Sequence, residues 1–223
     1  MRRSTECSRF STLLLPIFFA VAACTAPAPP YTSGGNMQSG LAAQDQIAHG
    51  RFVVISHACG GCHGGGDANP GAFGWLDGMR VPEIGQFQIG PFKTRAKNLT
   101  PDNTTGIGRF SERQVFNALR YGLRPEETAD VEITSTVPGQ GNFPLHPHYL
   151  AVPMPWPSWR HMPDQDLWAI AAYLKRGLKP VNHKVEDSEG PPDFWASEYT
   201  VEKIGSYPVQ PYPTVNEKGG PSR

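Results

Sequence analysis

The chain has 223 residues, 20 basic and 20 acidic side chains, and no formal net charge. That balance leaves no basic footprint for a nucleic-acid partner, and the length allows one domain with extensions. With 24 glycines and 23 prolines, about a fifth of the chain resists regular secondary structure, so something besides helices and strands must hold the fold together.

At the N-terminus, Arg2, Arg3 and Arg9 precede an apolar run over residues 13–23. The run is too short to span a bilayer, and residues 1–23 read as a signal segment. It ends at Val21-Ala22-Ala23-Cys24, which resembles a bacterial lipobox. That resemblance implies lipid on Cys24 as the first mature residue, on the periplasmic side of a Gram-negative envelope. Thr25 in place of Asp favours the outer membrane. The alternative is an ordinary signal peptide cut after Ala23, with Cys24 incidental. Residues 24–44, rich in Pro, Ala, Gly and Ser, read as a flexible tether.

Residues 44–58 read as a helix, with Ile47, Phe52, Val53 and Ile55 as an imperfect apolar face. Gly50 costs about 1 kcal/mol relative to Ala in a helix interior, which predicts a second helix crossing there with an aromatic residue. The helix runs into Cys59-Gly60-Gly61-Cys62-His63, the C-x-x-C-H pattern of c-type haem attachment. Cysteines three apart on a helical turn lie on one side, within reach of the two haem vinyl groups, and His63 follows as an axial ligand. The two glycines are expected to let the porphyrin edge approach the backbone. A zinc site would need a second Cys or His pair at zinc spacing. A thioredoxin-like pair would need a βαβ context. Neither is present in the sequence. Cys7 leaves with the signal segment and Cys24 takes lipid, so no pair remains for a disulfide.

Residues 64–97 read as loop, punctuated by Pro70, Pro82 and Pro91. Ser111 opens a helix with Gln114 completing a capping box; Val115, Leu119 and Phe116 are its apolar side, and Gly122 its C-cap. Residues 123–153 form a long excursion expected to wrap the open side of the haem. The last helix runs over residues 163–176, with Leu167, Ile170, Ala171 and Leu174 at helical spacing, Asp164 and Asp166 in its first turn, and Gly177 as its stop. Tyr173 is the aromatic expected to meet Gly50. Residues 179–223 read as an extended, Pro-rich tail, laid over the domain or reaching a partner.

These segments resemble class I c-type cytochromes, and most of all the cytochrome domains of bacterial membrane-associated dehydrogenase cytochrome subunits. The resemblance rests on G-R-F-V at 50–53, C-G-G-C-H at 59–63, N-L-T-P-D at 98–102, T-G-I-G-R-F-S at 105–111, M-P-W-P-S-W at 154–159 and D-L-W-A-I-A-A-Y-L at 166–174. It implies a small all-α cytochrome c-like domain over residues 45–178, built from a few helices around one covalent haem c with an exposed edge. The dehydrogenase subunits usually carry several such domains. This chain has one haem motif, a longer excursion at 123–153 and a tail without counterpart.

For the second axial position the residues offer Met154, Met162, Met79, or a histidine such as His146 or His148. Met154 stands between two prolines, in a stretch stiff enough to hold a thioether in place, and the resemblance assigns the ligand to it. Met162 then reads as a staple onto the last helix. His/Met ligation favours Fe(II) more than two imidazoles would and leaves no vacant position for oxygen or peroxide. The expected function is one-electron transfer rather than catalysis. The donor would be a dehydrogenase or quinol-oxidising complex, and the acceptor an oxidase or another cytochrome. The rivals are a subunit of one particular dehydrogenase, with the tail as docking arm, and a haem-based sensor of small ligands. His49, His57, His161 and His183 read as surface or satisfied polar residues. Trp156, Trp159, Trp168 and Phe110 read as haem-slot lining or core. Asn98 and Thr100 suit either a haem-side hydrogen bond or a plain turn. Arg95, Lys97 and Arg109 suit haem propionates or open solvent, and the carbonyl that orients His63 is Pro91's, Pro70's or another.

Overall fold

The computed structural model of the chain describes residues 43–191 and 193–208. The signal segment, Cys24 and nearly all of the tether lie outside the described residues. The chain begins with α1 (Ala43–Ser56), α2 (Cys59–His63), and a hairpin of β1 (Gln86–Ile89) and β2 (Phe92–Arg95). There follow α3 (Glu112–Tyr121), a short α4 (Trp156–Trp159) and α5 (Asp164–Ala172), which continues as a π turn, Tyr173–Gly177.

The core forms where α1, α3 and α5 meet. Val53 and Val54 of α1, Val115, Phe116 and Leu119 of α3, and Leu167, Ile170 and Ala171 of α5 share one buried cluster with Trp75, Leu76, Tyr173 and Leu174. On α1 the inward stripe is Gly50, Val53 and Val54, the i, i+3, i+4 spacing of one helix face. Phe52 lies outside it and is exposed. Of the anticipated apolar face, Val53 is buried as expected, while Val54 rather than Phe52 lies beside it.

Gly50 is where α1 and α5 cross. A Cβ there would lie 1.8 Å from the Ala169 carbonyl oxygen and 2.8 Å from the Tyr173 Cβ. Tyr173 is the aromatic partner anticipated, but the backbone of Ala169 comes closer still. At both ends the crossing is fastened by charge: His49 Nε2 meets Asp166 at 2.6 Å, and Arg176 donates to Glu112 and Gln46. The capping box of α3 is formed as the sequence indicates, with Ser111 Oγ accepting from Gln114 N, and Gly122 closes the helix at φ 69.

The hairpin interrupts what reads in sequence as loop. Ile89 pairs with Phe92 across a two-residue turn, Gly90-Pro91, and Gln86 pairs with Arg95. Gly90 sits at φ 52, a conformation glycine adopts without a Cβ penalty. Residues 123–150 fold back on themselves rather than stretching across the domain. Leu123, Ile133 and Phe143 bury one another beside Tyr121 and Tyr149, and Leu123 bridges to Tyr149.

The tail lies over this frame as a belt. Residues 181–189 run extended along residues 93–100, ending in a two-way backbone pair between Lys93 and Glu189, 2.8 Å in each direction. A 3₁₀ segment, Phe194–Tyr199, then seats Trp195, 1% exposed, against Phe92 with ring centroids 4.8 Å apart. Tyr199 closes an aromatic box with Tyr149 and Trp156. After α6 (Val201–Ile204), the carbonyls of Ile204 and Gly205 accept from Arg160. The buried Arg120 fastens the same region, donating to the Arg160 carbonyl and to Asp164 at the start of α5. Among the described residues no helix is long and apolar enough to cross a membrane.

Two stability outcomes follow from this packing. Gly50→Ala gains about 1 kcal/mol of helix propensity but drives a methyl into the Ala169 backbone, so urea titration should show a net loss of about 1–3 kcal/mol. Trp195→Ala empties a filled pocket beneath the belt and should cost about 3–5 kcal/mol in the same assay. An unchanged midpoint for either would contradict the contact on which it rests.

Candidate functional site

α2 is a separate helical turn. α1 stops at Ser56, where the Val53 carbonyl accepts from the His57 backbone N–H at 3.0 Å and is shared by the Ser56 hydroxyl and the His57 Nδ1–H. Ala58 then takes a left-handed conformation, φ 51 and ψ 36, which turns the chain before the motif. The continuous helix anticipated over residues 44–58 is thus broken one residue before Cys59.

Both cysteines of α2 are free thiols, Cys59 half-buried and Cys62 exposed. Cys59 packs against the central cluster. Burial pushes its thiol up to about 12; partial desolvation and then the Asp67 carboxylate raise that of Cys62. Of the two glycines between them, Gly60 serves the protein's own loop. A Cβ on Gly60 would lie 2.2 Å from the Gly66 carbonyl oxygen and 2.5 Å from the Trp75 ring. The close approach anticipated for a porphyrin is here made by residues 66 and 75, which fold back under α2. Trp75 is itself fixed by donating from its indole N–H to the Tyr173 hydroxyl at 3.1 Å, so the loop below the motif is tied to the end of α5.

His63 is held from two directions. Its Nδ1–H donates to the Lys97 carbonyl at 2.7 Å, and its own carbonyl accepts from Gly78 N at 2.7 Å. The orienting carbonyl is therefore Lys97's, not that of Pro91 or Pro70. Desolvation lowers the imidazole's pKa, which favours the neutral ring, the form that ligates a metal. With Nδ1 engaged, Nε2 is the nitrogen free to ligate, and no hydrogen bond engages it among the described residues.

Met154 is half-buried and packs on the same central cluster as Cys59, together with Leu99, Ile107, Trp159 and Met162. Its backbone is fixed by a turn: Met154 N donates to the Ala151 carbonyl and its carbonyl accepts from Trp156 N, both at 2.9 Å. Trp156, 3% exposed, anchors that turn in the aromatic box. Of the other ligand candidates, Met162 joins the cluster beside α5, as the staple reading requires. His148 Nδ1 is engaged by the carboxylates of Glu127 and Asp193. His146 is exposed, and Met79 lies by the hairpin, its N–H on the Ala96 carbonyl.

Of the remaining polar candidates, Arg95, Lys97 and Asn98 serve the belt. Arg95 is 4% exposed and neither solvated nor free: it donates to the Asp187 carbonyl and pairs with Glu186 and Glu189. Lys97 Nζ donates to the Glu186 carbonyl at 2.8 Å, and Arg109 pairs with Glu126. Asn98 does two jobs. Its Oδ1 accepts from the backbone N and hydroxyl of Thr100, forming the turn, and its Nδ2 donates to the carbonyls of Val181 and His183. His183 Nδ1 in turn meets the Asp77 carbonyl at 2.8 Å.

The donor set fits a covalently attached haem. Two thiols stand three residues apart on one turn, and a neutral imidazole follows with Nε2 unengaged. Among the described residues no group of three or more His, Cys, Asp or Glu side chains is arranged to hold a metal ion. Sequence reasoning missed the hairpin, although Gln86-Phe87-Gln88-Ile89 alternates polar and apolar ahead of Gly90-Pro91. It also missed the roles of Lys97, Asn98 and Arg95, which only the course of the tail reveals.

No family model matches the chain. Among curated proteins it is similar to cytochrome c subunits of bacterial dehydrogenases. It is 28% identical over 162 residues to the gluconate 2-dehydrogenase cytochrome c subunit of Pantoea cypripedii, covering 70% of this chain and 30% of that one. Over 84 residues it is 33% identical to the cytochrome c subunit of alcohol dehydrogenase (quinone) from Gluconacetobacter polyoxogenes, 38% of this chain and 14% of that one. With the fructose dehydrogenase cytochrome subunit of Gluconobacter japonicus the identity is 24% over 143 residues, 61% and 22% of the two chains. The chain spans less than a third of the length of these relatives.

The thiols give a direct chemical check on the haem-free chain. With a pKa of about 12, on the order of one Cys59 in ten thousand is thiolate at pH 8. Iodoacetamide followed by mass spectrometry should therefore label the exposed Cys62 well before Cys59. Because folding raises the Cys59 pKa, its contribution to stability is complete below the unfolded value of 9.0 and declines as pH rises towards 12. Equal labelling of the two would show that Cys59 is not packed on the core.

Proposed function

We propose that the chain is an electron-transfer cytochrome of the c type, with a cytochrome c-like domain over residues 45–178. Cys59 and Cys62 would hold a single haem through their sulfurs, and His63 Nε2 and the Met154 thioether would ligate its iron. When bound, the haem iron supplies reversible one-electron exchange between Fe(III) and Fe(II). The chain's own part is to hold the two thiols on one turn, keep His63 neutral and oriented through the Lys97 carbonyl, and keep Met154 on a fixed turn. The protein is then a carrier and not itself the catalyst. The observation that carries this reading is the α2 turn, with its paired thiols and a histidine tied at Nδ1 and open at Nε2.

The relatives favour a more specific form, a cytochrome subunit of a dehydrogenase. In that form the donor is a dehydrogenase or quinol-oxidising complex, and the acceptor is an oxidase or a further cytochrome. Residues 1–24 support attachment by lipid at Cys24 on the periplasmic side of a Gram-negative envelope, with Thr25 favouring the outer membrane.

Production in a host with cytochrome maturation should give red protein whose haem stays attached under denaturing conditions and is lost when both cysteines become serine. The sulfur-to-iron charge-transfer band should disappear in Met154→Ala and survive in Met162→Ala. The reverse pattern would move the ligand to Met162, and a colourless wild-type protein would end the cytochrome reading altogether. Co-purification with a dehydrogenase subunit tests the narrower form.

A further inference from the structure

The belt segment 181–189 touches the motif's surroundings on both sides of His63. On one side is the segment after β2 that carries the orienting carbonyl. Asn98, directly after Lys97, donates from Nδ2 to the carbonyls of Val181 at 2.9 Å and His183 at 3.2 Å. Lys97 itself reaches the Glu186 carbonyl, and Arg95 is buried against the Asp187 carbonyl and the Glu189 carboxylate. On the other side is Gly78, whose N–H bonds the His63 carbonyl. A Cβ on Gly78 would lie 2.4 Å from Val185 Cγ2, so the belt's one buried aliphatic side chain is seated on the residue that holds the motif's backbone. Fixing Arg95, Lys97 and Asn98 through chain 83 to 94 residues away costs the ordering of an otherwise solvated segment, and a turn at 98–100 alone would not need it.

We propose that residues 181–189 are a positioning device for the axial histidine. By clamping residues 95–98 and Gly78, the belt sets the distance and alignment of the Lys97 carbonyl from Nδ1 of His63. This rests on the haem reading above. A tighter Nδ1–H···O bond makes the imidazole a more basic ligand, which favours Fe(III); a looser one favours Fe(II). The belt therefore sets how readily the site gives up its electron without touching either axial ligand.

The test uses the full-length, haem-loaded chain with two separate lesions in the clamp. Asn98→Asp keeps the Oδ1 acceptor for Thr100 but loses the Nδ2 donor to Val181 and His183. Lys97→Met keeps the orienting carbonyl and loses the exposed ammonium's contacts with the Glu186 carbonyl and the Asp187 carboxylate, so it reports even if Asn98→Asp does not fold. Tyr199→Phe breaks a belt contact elsewhere, the hydroxyl's bond to the Leu150 carbonyl, and serves as control. Both clamp variants should raise the midpoint potential while keeping the His/Met optical spectrum, and the control should not. Solvent exchange of the His63 Nδ1 proton, followed by NMR, should quicken by about ten-fold in Asn98→Asp, as expected when one or two bonds that close a segment are lost. Potentials and exchange rates in the clamp variants that match wild type, or shifts as large in Tyr199→Phe, overturn the positioning role and leave the haem reading standing. A wild-type chain that carries no haem overturns both.

Discussion

Everything in this molecule is placed by the close crossing of α1 and α5, where Gly50 lets the Ala169 backbone come within contact of the α1 backbone. A residue with any side chain at position 50 would hold the helices apart and loosen the buried cluster they share with α3. The crossing places Tyr173 against the middle of α1. Tyr173 in turn receives the Trp75 indole hydrogen bond, which sets the loop under α2. The geometry of the two thiols and of His63 is thus a consequence of helix packing, transmitted through one tryptophan and one tyrosine.

The site shows a division of labour between backbone and side chains. On the proposed reading, cysteine, histidine and methionine side chains provide the chemistry, while main-chain groups do most of the orienting. Carbonyls at Lys97 and Ala151 and amides at Gly78 and Trp156 fix His63 and Met154. Main-chain groups suit this role because they are carried by structure that is rigid for other reasons: the turn at Asn98 and the aromatic box around Trp156. A sheltered amide–carbonyl bond has few ways to rearrange and so holds a ligand's direction at little entropic cost.

What could be read from the amino acids divides along the range of the interactions. Local signals were legible: the Ser111/Gln114 cap, the Gly122 stop, the stripe of Leu167, Ile170, Ala171 and Leu174, and the thiol pair with its histidine. Gly50 announced a crossing because a glycine inside a helix needs a packing reason, and Tyr173 was found near it. Orientation was less legible. On α1 the apolar residues run together from Phe52 to Ile55, so periodicity alone could not choose between Phe52 and Val54. The hairpin was too short for its alternation to stand out from loop. The roles of Arg95, Asn98 and Lys97 were not legible, because each depends on a backbone carbonyl of the tail, and carbonyls are the same at every residue. Nothing in their side chains records which stretch of chain will pass by.

The belt also shapes how the chain reaches its folded form. His49 meets Asp166 across 117 positions and Asn98 meets Val181 across 83, so both fastenings close loops that span most of the domain. Loop closure over such separations is slow to nucleate and is rewarded only once both ends are in place. Neither fastening can be completed by neighbouring segments alone, so the described fold closes as a unit.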